Sequence, residues 1–119
     1  MKRIAFAAAL LAAIARPAAA EPPQIADGKL VDEHHMTLYV FDRDAPGKSA
    51  CSGTCATNWP PALADAYDKP SGAWSVVTRD DGKLQWAYRE RPLYRWKMDQ
   101  KAGDAGGDGV GGIWHVARP

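Results

Sequence analysis

The chain has 119 residues, of which 24% are charged and 46% hydrophobic, and its formal net charge is +1. A chain of this length predicts a single domain with a modest hydrophobic core. Without its first 20 residues it keeps 12 basic and 14 acidic residues, which argues against the basic surface of a nucleic-acid-binding protein and against a cationic lipid-binding face.

Residues 1–20 have the order of a cleavable signal peptide. Positive charge at Lys2 and Arg3 is followed by an apolar run over residues 4–15 and by small residues at 18–20. The apolar run is too short to cross about 30 Å of hydrocarbon as a helix. Glu21 stands where a lipid-anchored protein would carry a cysteine. We therefore expect a periplasmic or secreted protein with no stable membrane insertion after cleavage.

The rest of the chain contains an internal repeat. Residues 38–44 and 93–99 share the pattern Leu-Tyr-x-aromatic-x-x-Asp at an offset of 55, and a tryptophan follows each at the same distance. Residues 27–30 and 81–84 both read Asp-Gly-Lys-Leu. We predict a flexible segment over 21–26 and then one domain over 27–119, made of a first repeat at about 27–80 and a second at about 81–119.

Each repeat has the composition of β-strands. Residues 37–41, 73–78, 84–88, 92–96 and 113–116 are rich in β-branched and aromatic side chains, and several turns carry Pro or Gly. A short helix is expected either near Cys55–Asn58 or over 62–67. The predicted fold is mostly β: a small single domain of two related β-rich repeats packed together, with at most one short helix.

These motifs resemble a known family. The runs at 36–44, 47–55 and 59–61, and in the second half the runs at 79–82, 85–88, 92–94, 103–104 and 114–116, are similar to the secreted-repeat family of predicted bacterial lipoproteins. The resemblance covers nearly all of residues 25–119. It implies a secreted protein with a Tyr-x-aromatic-x-x-Asp motif but no established activity. Two departures from the family are the missing lipidation cysteine and the pair His34-His35.

Cys51 and Cys55 form a Cys-x-x-x-Cys pair. In an oxidising compartment, and with no third cysteine to compete, the pair favours a disulfide that pins the segment after the first Tyr-x-Phe strand. The alternative is a thiol redox pair or a copper site. Thioredoxin-type motifs have two spacer residues rather than three, and haem attachment needs a histidine where Ala56 stands.

Other side chains could complete a metal site. Soft or borderline ligands for copper are His34, His35, Met36, Met98 and His115. Adjacent histidines on a strand point to opposite faces, and both methionines are more simply interpreted as packing residues. A calcium site would use Asp99, Asp104 and Asp108 in the glycine-rich loop, although the EF-hand spacing is absent. The simpler role of Asp44 and Asp99 is to accept hydrogen bonds from the turns that follow them.

The motif aromatics are expected to form the core that the two repeats share. These residues are Tyr39, Phe41, Trp59, Tyr94, Trp96 and Trp114. An outer aromatic platform would use Trp74, Trp86 and Tyr88.

No catalytic triad, nucleophile elbow or phosphate loop is present in the sequence. We therefore expect a non-enzymatic binding or structural module without a cofactor, acting on an unknown envelope partner or small ligand. The alternative is a metal-handling or redox protein centred on the two cysteines.

Overall fold

The computed structural model describes residues 22–119, and the predicted signal peptide lies outside them. The strands are β1 (Gln24–Ala26), β2 (Lys29–Val31), β3 (Tyr39–Phe41), β4 (Leu63–Ala64), β5 (Trp74–Thr78), β6 (Leu84–Tyr88), β7 (Arg91–Pro92) and β8 (Trp114–Val116). Helix α1 spans Thr54–Asn58, and a 3-10 turn covers Val110–Gly112. The fold is mostly β with one short helix, as the sequence predicts. No helix within 22–119 is long and apolar enough to cross a membrane.

The strands form three antiparallel groups. β1 and β2 make a hairpin, β3 pairs with β8, and β6 lies at the centre of a four-stranded sheet. β5 pairs along one edge of β6, while β4 and β7 share the other edge. The pair β3–β8 joins the two repeats, because β3 belongs to the first and β8 to the second.

An approximate two-fold axis relates the repeats. Tyr39 N–H donates to the carbonyl of Tyr94 at 2.8 Å, and Tyr94 N–H donates back to Tyr39 at 2.9 Å. On either side of this pair, Ala117 N–H donates to Leu38 and Ala62 N–H donates to Leu93. Each half therefore completes the backbone hydrogen bonding of the other, which satisfies amides that a single short hairpin would leave open.

Alternation along β3 divides the interior into two clusters. Leu38 and Val40 face an aliphatic cluster with Leu30, Trp86 and Leu93, whereas Tyr39 and Phe41 face an aromatic cluster. Successive side chains of a strand point to opposite faces, so a strand buried on both sides is apolar throughout. The run Leu-Tyr-Val-Phe is apolar for this reason.

Two interpretations of the surface from the sequence are wrong. Trp86, a candidate for an outer aromatic platform, is 1% exposed because it lies in the aliphatic cluster under Trp74. Met98, interpreted as a packing residue, is 60% exposed because it lies in a turn outside both clusters. Trp74 and Tyr88 are half-buried and contact each other edge to face.

The start of the domain also differs from the expectation. Residues 24–26, expected to be flexible, form β1 and pair with β2 through a tight turn at Asp27-Gly28. Both turn residues have positive φ, 52° and 73°, as a two-residue hairpin turn requires. The strand was hard to recognise because its side chains are mostly exposed.

Candidate functional site

The motif aromatics form a continuous stack through the centre of the domain. Trp59 and Trp114 stack at a centroid distance of 3.8 Å. Phe41 stacks on the outer face of Trp114 and Trp96 on the outer face of Trp59, both at 4.1 Å. The order Phe41, Trp114, Trp59, Trp96 alternates between repeats, so the axis passes between the two central rings. The stack joins the halves and is not an open ligand platform.

The motif tyrosines and aspartates form two clasps across the repeats. Tyr39 donates its hydroxyl to Asp99 Oδ2 at 2.5 Å, and Tyr94 donates to Asp44 Oδ2 at 2.7 Å. Each carboxylate uses its other oxygen to accept a backbone N–H of the following loop, from Ala50 or from Gly106. The turn-accepting role expected for both aspartates is present. The tyrosine of the opposite repeat is an additional partner that the spacing does not predict.

The clasps are electrostatically unusual because they are buried. Burial, together with the hydrogen bond to the partner carboxylate, raises the pKa of Tyr39 and of Tyr94 well above the ordinary value for a phenol. Burial also raises the pKa of Asp44, although Ala50 N–H and the Tyr94 hydroxyl oppose the shift. Both phenols therefore remain protonated donors near neutral pH. Such groups can position a carboxylate but do not serve as general bases.

A buried arginine extends the second clasp. Arg79 is 7% exposed and donates to Ser49 Oγ at 3.1 Å, Gln85 Oε1 at 2.7 Å and the Cys51 carbonyl at 2.7 Å. Ser49 Oγ in turn lies 2.6 Å from the Tyr94 hydroxyl. The serine has a protonated phenol beside it rather than a base, so this network holds the loop in place and does not activate a nucleophile.

The predicted disulfide is confirmed. Cys51 and Cys55 are joined, with Cys51 1% exposed in the aromatic cluster and Cys55 in α1. The bond ties α1 to the segment whose Cys51 carbonyl binds Arg79. A copper site or a dithiol at these positions would need the two sulfurs that the bond joins.

Reduction of this bond should lower stability only modestly. A closed loop this short removes little chain entropy, so we expect a loss of about 2 kcal/mol. Urea unfolding of the protein with and without a phosphine reductant measures the loss. The variant Cys51→Ala/Cys55→Ala is the control and should not respond to the reductant. A loss below about 0.5 kcal/mol on reduction of the parent would contradict a constraining role.

The residues proposed for a metal site are spread over the surface and the turns. His34 and His35 are exposed in the loop after β2, not on a strand, and Met36 is buried. His115 contacts Asp42. Asp104 accepts from the amides of Gln100 and Lys101, and Asp108 accepts from Val116 N–H, so the acids of the glycine-rich loop serve separate turns. Within 22–119, no three His, Cys, Asp or Glu residues are grouped to hold a metal ion.

A polar cleft lies where β6, β7 and β8 meet, and sequence reasoning did not find it. Its volume is about 400 Å³. We call it the arginine cleft: its rim is Asp42, Tyr88, Arg89, Arg91, His115, Arg118 and Pro119, and its floor includes Leu30, Val40, Val116 and Ala117. The volume lies within the range of about 300–1,000 Å³ that is usual for small-molecule sites.

Most of the positive charge in this cleft has no close carboxylate. Asp42 Oδ2 lies 2.7 Å from His115 Nε2, and Asp42 Oδ1 is 3.7 Å from Arg91. Arg89 lies over the Tyr88 ring at 5.5 Å, and Arg118 makes one long hydrogen bond of 3.4 Å to the carbonyl of Gly28. Among the described residues, no carboxylate lies within ion-pair distance of Arg89 or Arg118.

The turn that presents Arg89 is strained. Arg89 and Glu90 form a two-residue hairpin turn between β6 and β7, with φ of 48° and 65°. Such turns favour Asn-Gly or Gly-Gly because side chains beyond glycine disfavour positive φ. A strained backbone in two consecutive residues is typical of functional positions. Here the strain places an arginine at the rim of the cleft.

The arginine cleft is also where the repeats differ. The aligned pairs Trp59/Trp114 and Ala62/Ala117 place Pro60 opposite His115 and Leu63 opposite Arg118. Lys97 likewise stands opposite Asp42. Residues that the repeats share form the stack and the clasps, while Asp42, His115 and Arg118 each stand opposite a different residue type in the other repeat. The sequence signal for the arginine cleft is the set of positions at which the two repeats differ, rather than those at which they match.

Comparison with known proteins agrees with the repeat structure. A family model described as a secreted repeat of unknown function matches twice, over residues 24–63 and 75–118. The repeats predicted from the sequence begin at about 27 and 81, and the difference corresponds to the first strand of each hairpin. No curated protein and no solved structure matches the chain. Because the two matches cover more than half of its length, the chain belongs to this family of secreted repeats.

Proposed function

We propose that the protein is a non-enzymatic binding module of the bacterial periplasm or cell exterior, and that it binds a small organic anion in the arginine cleft. One observation carries the proposal. Within residues 22–119, Arg89 and Arg118 have no carboxylate at ion-pair distance, and both border the same cleft on a chain that carries slightly more acidic than basic residues after position 20. Guanidinium groups bind carboxylates and phosphates through paired hydrogen bonds.

Binding is favoured over catalysis by the roles of the other polar groups. The buried phenols are protonated donors with raised pKa, and Arg79 is engaged by Ser49, Gln85 and the Cys51 carbonyl. These groups hold the two repeats together. The arginine cleft instead offers the guanidinium groups of Arg89 and Arg118, beside Leu30, Val40 and Val116 from three strands.

The export signal and the disulfide support an extracytoplasmic site of action. Residues 1–20 have the signal-peptide pattern, and the family is one of secreted repeats. A disulfide persists in an oxidising compartment. The ligand is therefore to be sought among the anions of the cell envelope or the medium.

An NMR titration of the uniformly ¹⁵N-labelled protein with pyrophosphate tests anion binding. We expect saturable shifts at the amides of Arg89, Arg91, His115 and Arg118. Because a hydrogen bond between charged groups contributes about 1.5–3 kcal/mol, the variant Arg89→Gln/Arg118→Gln should bind at least about tenfold more weakly.

The matched control removes the same charge elsewhere. Lys97→Gln/Lys101→Gln changes two exposed lysines of the second repeat, outside the cleft. Its affinity for pyrophosphate should equal that of the parent. Shifts spread evenly over all basic residues, or equal weakening by both double variants, would contradict a specific site.

A further inference from the structure

We propose that the ligand of the arginine cleft is an acidic saccharide, a sugar that carries a carboxylate or a phosphate group. The inference rests on the proposed function and adds the part of the ligand beyond its charge. It follows from the juxtaposition of Arg89 and Arg118, the Asp42–His115 pair and the Tyr88 ring in one cleft.

The arginines bind the acid group. Arg89 is exposed and contacts the Tyr88 ring rather than a carboxylate. Arg118 donates one long hydrogen bond to the carbonyl of Gly28. Each guanidinium thus has a pair of N–H donors open to a planar or tetrahedral oxyanion. A carboxylate and a phosphate both present the two oxygens that such a pair requires.

Asp42 indicates that the ligand carries hydrogen-bond donors in addition to its acid group. Its carboxylate lies inside the cleft, 42% exposed, and would repel a simple anion bound beside it. A sugar resolves this conflict, because its hydroxyl groups donate to Asp42 while its acid group remains at the arginines. His115 contacts Asp42 at 2.7 Å and supplies a further polar atom for a neighbouring hydroxyl.

The remaining surface suits the apolar side of a sugar ring. Tyr88 is half-buried and forms one wall, with Val40 and Val116 below it. Small-molecule sites typically combine such apolar surface with a few converging polar groups. A pyranose has this division, since its C–H bonds lie on the ring faces and its hydroxyls point outward.

Calorimetric and NMR titrations with four probes test the inference. The probes are trigalacturonate, glucose 6-phosphate, neutral maltotriose and inorganic phosphate. We expect at least one acidic sugar to shift the amides of Arg89, His115 and Arg118 and to bind at least about tenfold more tightly than both maltotriose and inorganic phosphate. Preference for trigalacturonate or for glucose 6-phosphate then assigns the acid group.

Replacement of Asp42 distinguishes recognition of the sugar hydroxyls from recognition of the acid group. In Asp42→Ala the acidic sugar should bind about tenfold more weakly, because hydroxyl acceptors are lost, whereas inorganic phosphate should bind more tightly, because a repelling charge is gone. Asp80→Ala is the matched control, since it removes an exposed carboxylate outside the cleft. It should change neither affinity.

The possible outcomes distinguish this inference from the proposed function. Inorganic phosphate or pyrophosphate that binds in the cleft as tightly as any acidic sugar overturns the saccharide inference and leaves the anion-binding module intact. Absence of binding by all the anions overturns both. An Asp42→Ala variant that binds acidic sugar more tightly than the parent also overturns the saccharide inference.

Discussion

Replacement of Trp114 by alanine is expected to destabilise the protein by about 3–5 kcal/mol, the range for a large aromatic side chain removed from a core. Trp114 is 4% exposed, stacks between Trp59 and Phe41, and contacts Tyr94 edge to face. The deletion therefore breaks contacts to both repeats at the axis. The free energy of unfolding of a domain is only about 5–15 kcal/mol, so the variant should be close to unfolding at room temperature.

Urea unfolding monitored by far-ultraviolet circular dichroism measures this effect without relying on tryptophan fluorescence. Trp74→Ala is the matched control, because Trp74 is half-buried and lies outside the stack in edge contacts with Trp86 and Tyr88. Its loss should be clearly smaller. Equal losses in the two variants would contradict the view that the stack is the principal junction between the repeats.

The two-fold design could be predicted from the sequence, because each repeat carries the same aromatic and acidic positions. The strands at 37–41, 73–78, 84–88 and 113–116 were predictable from their composition, and the structure has strands within each range. The range 92–96 instead contains only the end of β7 and isolated bridges at Tyr94. The helix expected near Cys55–Asn58 is also present. The alternative range 62–67 contains β4 and a turn instead, with Asp65 accepting from the amides of Tyr67 and Asp68.

The pairing of the motif residues could not be predicted in the same way. A repeated Tyr-x-aromatic-x-x-Asp motif is compatible with a tyrosine that bonds to the aspartate of its own repeat or of the other. Asp44 follows Tyr39 by five positions in the first copy, and the strand carries them apart as the chain enters the turn. The partner of Tyr39 is Asp99, 60 residues away, because the reciprocal backbone pair at Tyr39 and Tyr94 places each hydroxyl beside the other repeat's loop.

The close packing around the Tyr39–Asp99 clasp also comes from contact between the two repeats. Gly107 N–H donates to the Tyr39 hydroxyl at 3.1 Å, and a Cβ at Gly107 would lie 2.8 Å from the Trp59 ring and 2.9 Å from the Tyr39 ring. A glycine in a loop suggests mobility when only the sequence is known. In the folded domain this one allows close approach between a loop of the second repeat and two rings of the first.

The arginine cleft could not be predicted from sequence motifs for a different reason. Its polar rim residues lie in β7 and β8, at the end of β6, and in the segments that follow β3, β6 and β8, and no local motif connects them. They are recognisable only as departures from the repeat. Duplicated folds require some positions twice to form the core, and positions that have diverged between the copies are free to serve a ligand.

Alkaline pH should unfold the protein through its two clasps. Tyr39 and Tyr94 are fully buried, and their pKa values are raised above the ordinary value of about 10. Above pH 10 the unfolded chain releases these phenolic protons while the folded state keeps them. The folded state then binds more protons, so the free energy of unfolding falls as pH rises. By pH 11 each tyrosine should account for a loss of about 1.4 kcal/mol.

Urea unfolding of the parent and of Tyr39→Phe at pH 9, 10 and 11 isolates one of these contributions. The phenylalanine variant starts less stable, because Asp99 and Gly107 N–H lose a hydrogen-bond partner. Its further loss between pH 9 and 11 should nevertheless be smaller than the parent's by about 1.4 kcal/mol, since one of the two buried phenols is gone. Tyr67→Phe changes a side chain that is 84% exposed and should keep the parent's pH dependence. If all three proteins lose the same free energy over this range, the clasp tyrosines are not what limits stability in alkali.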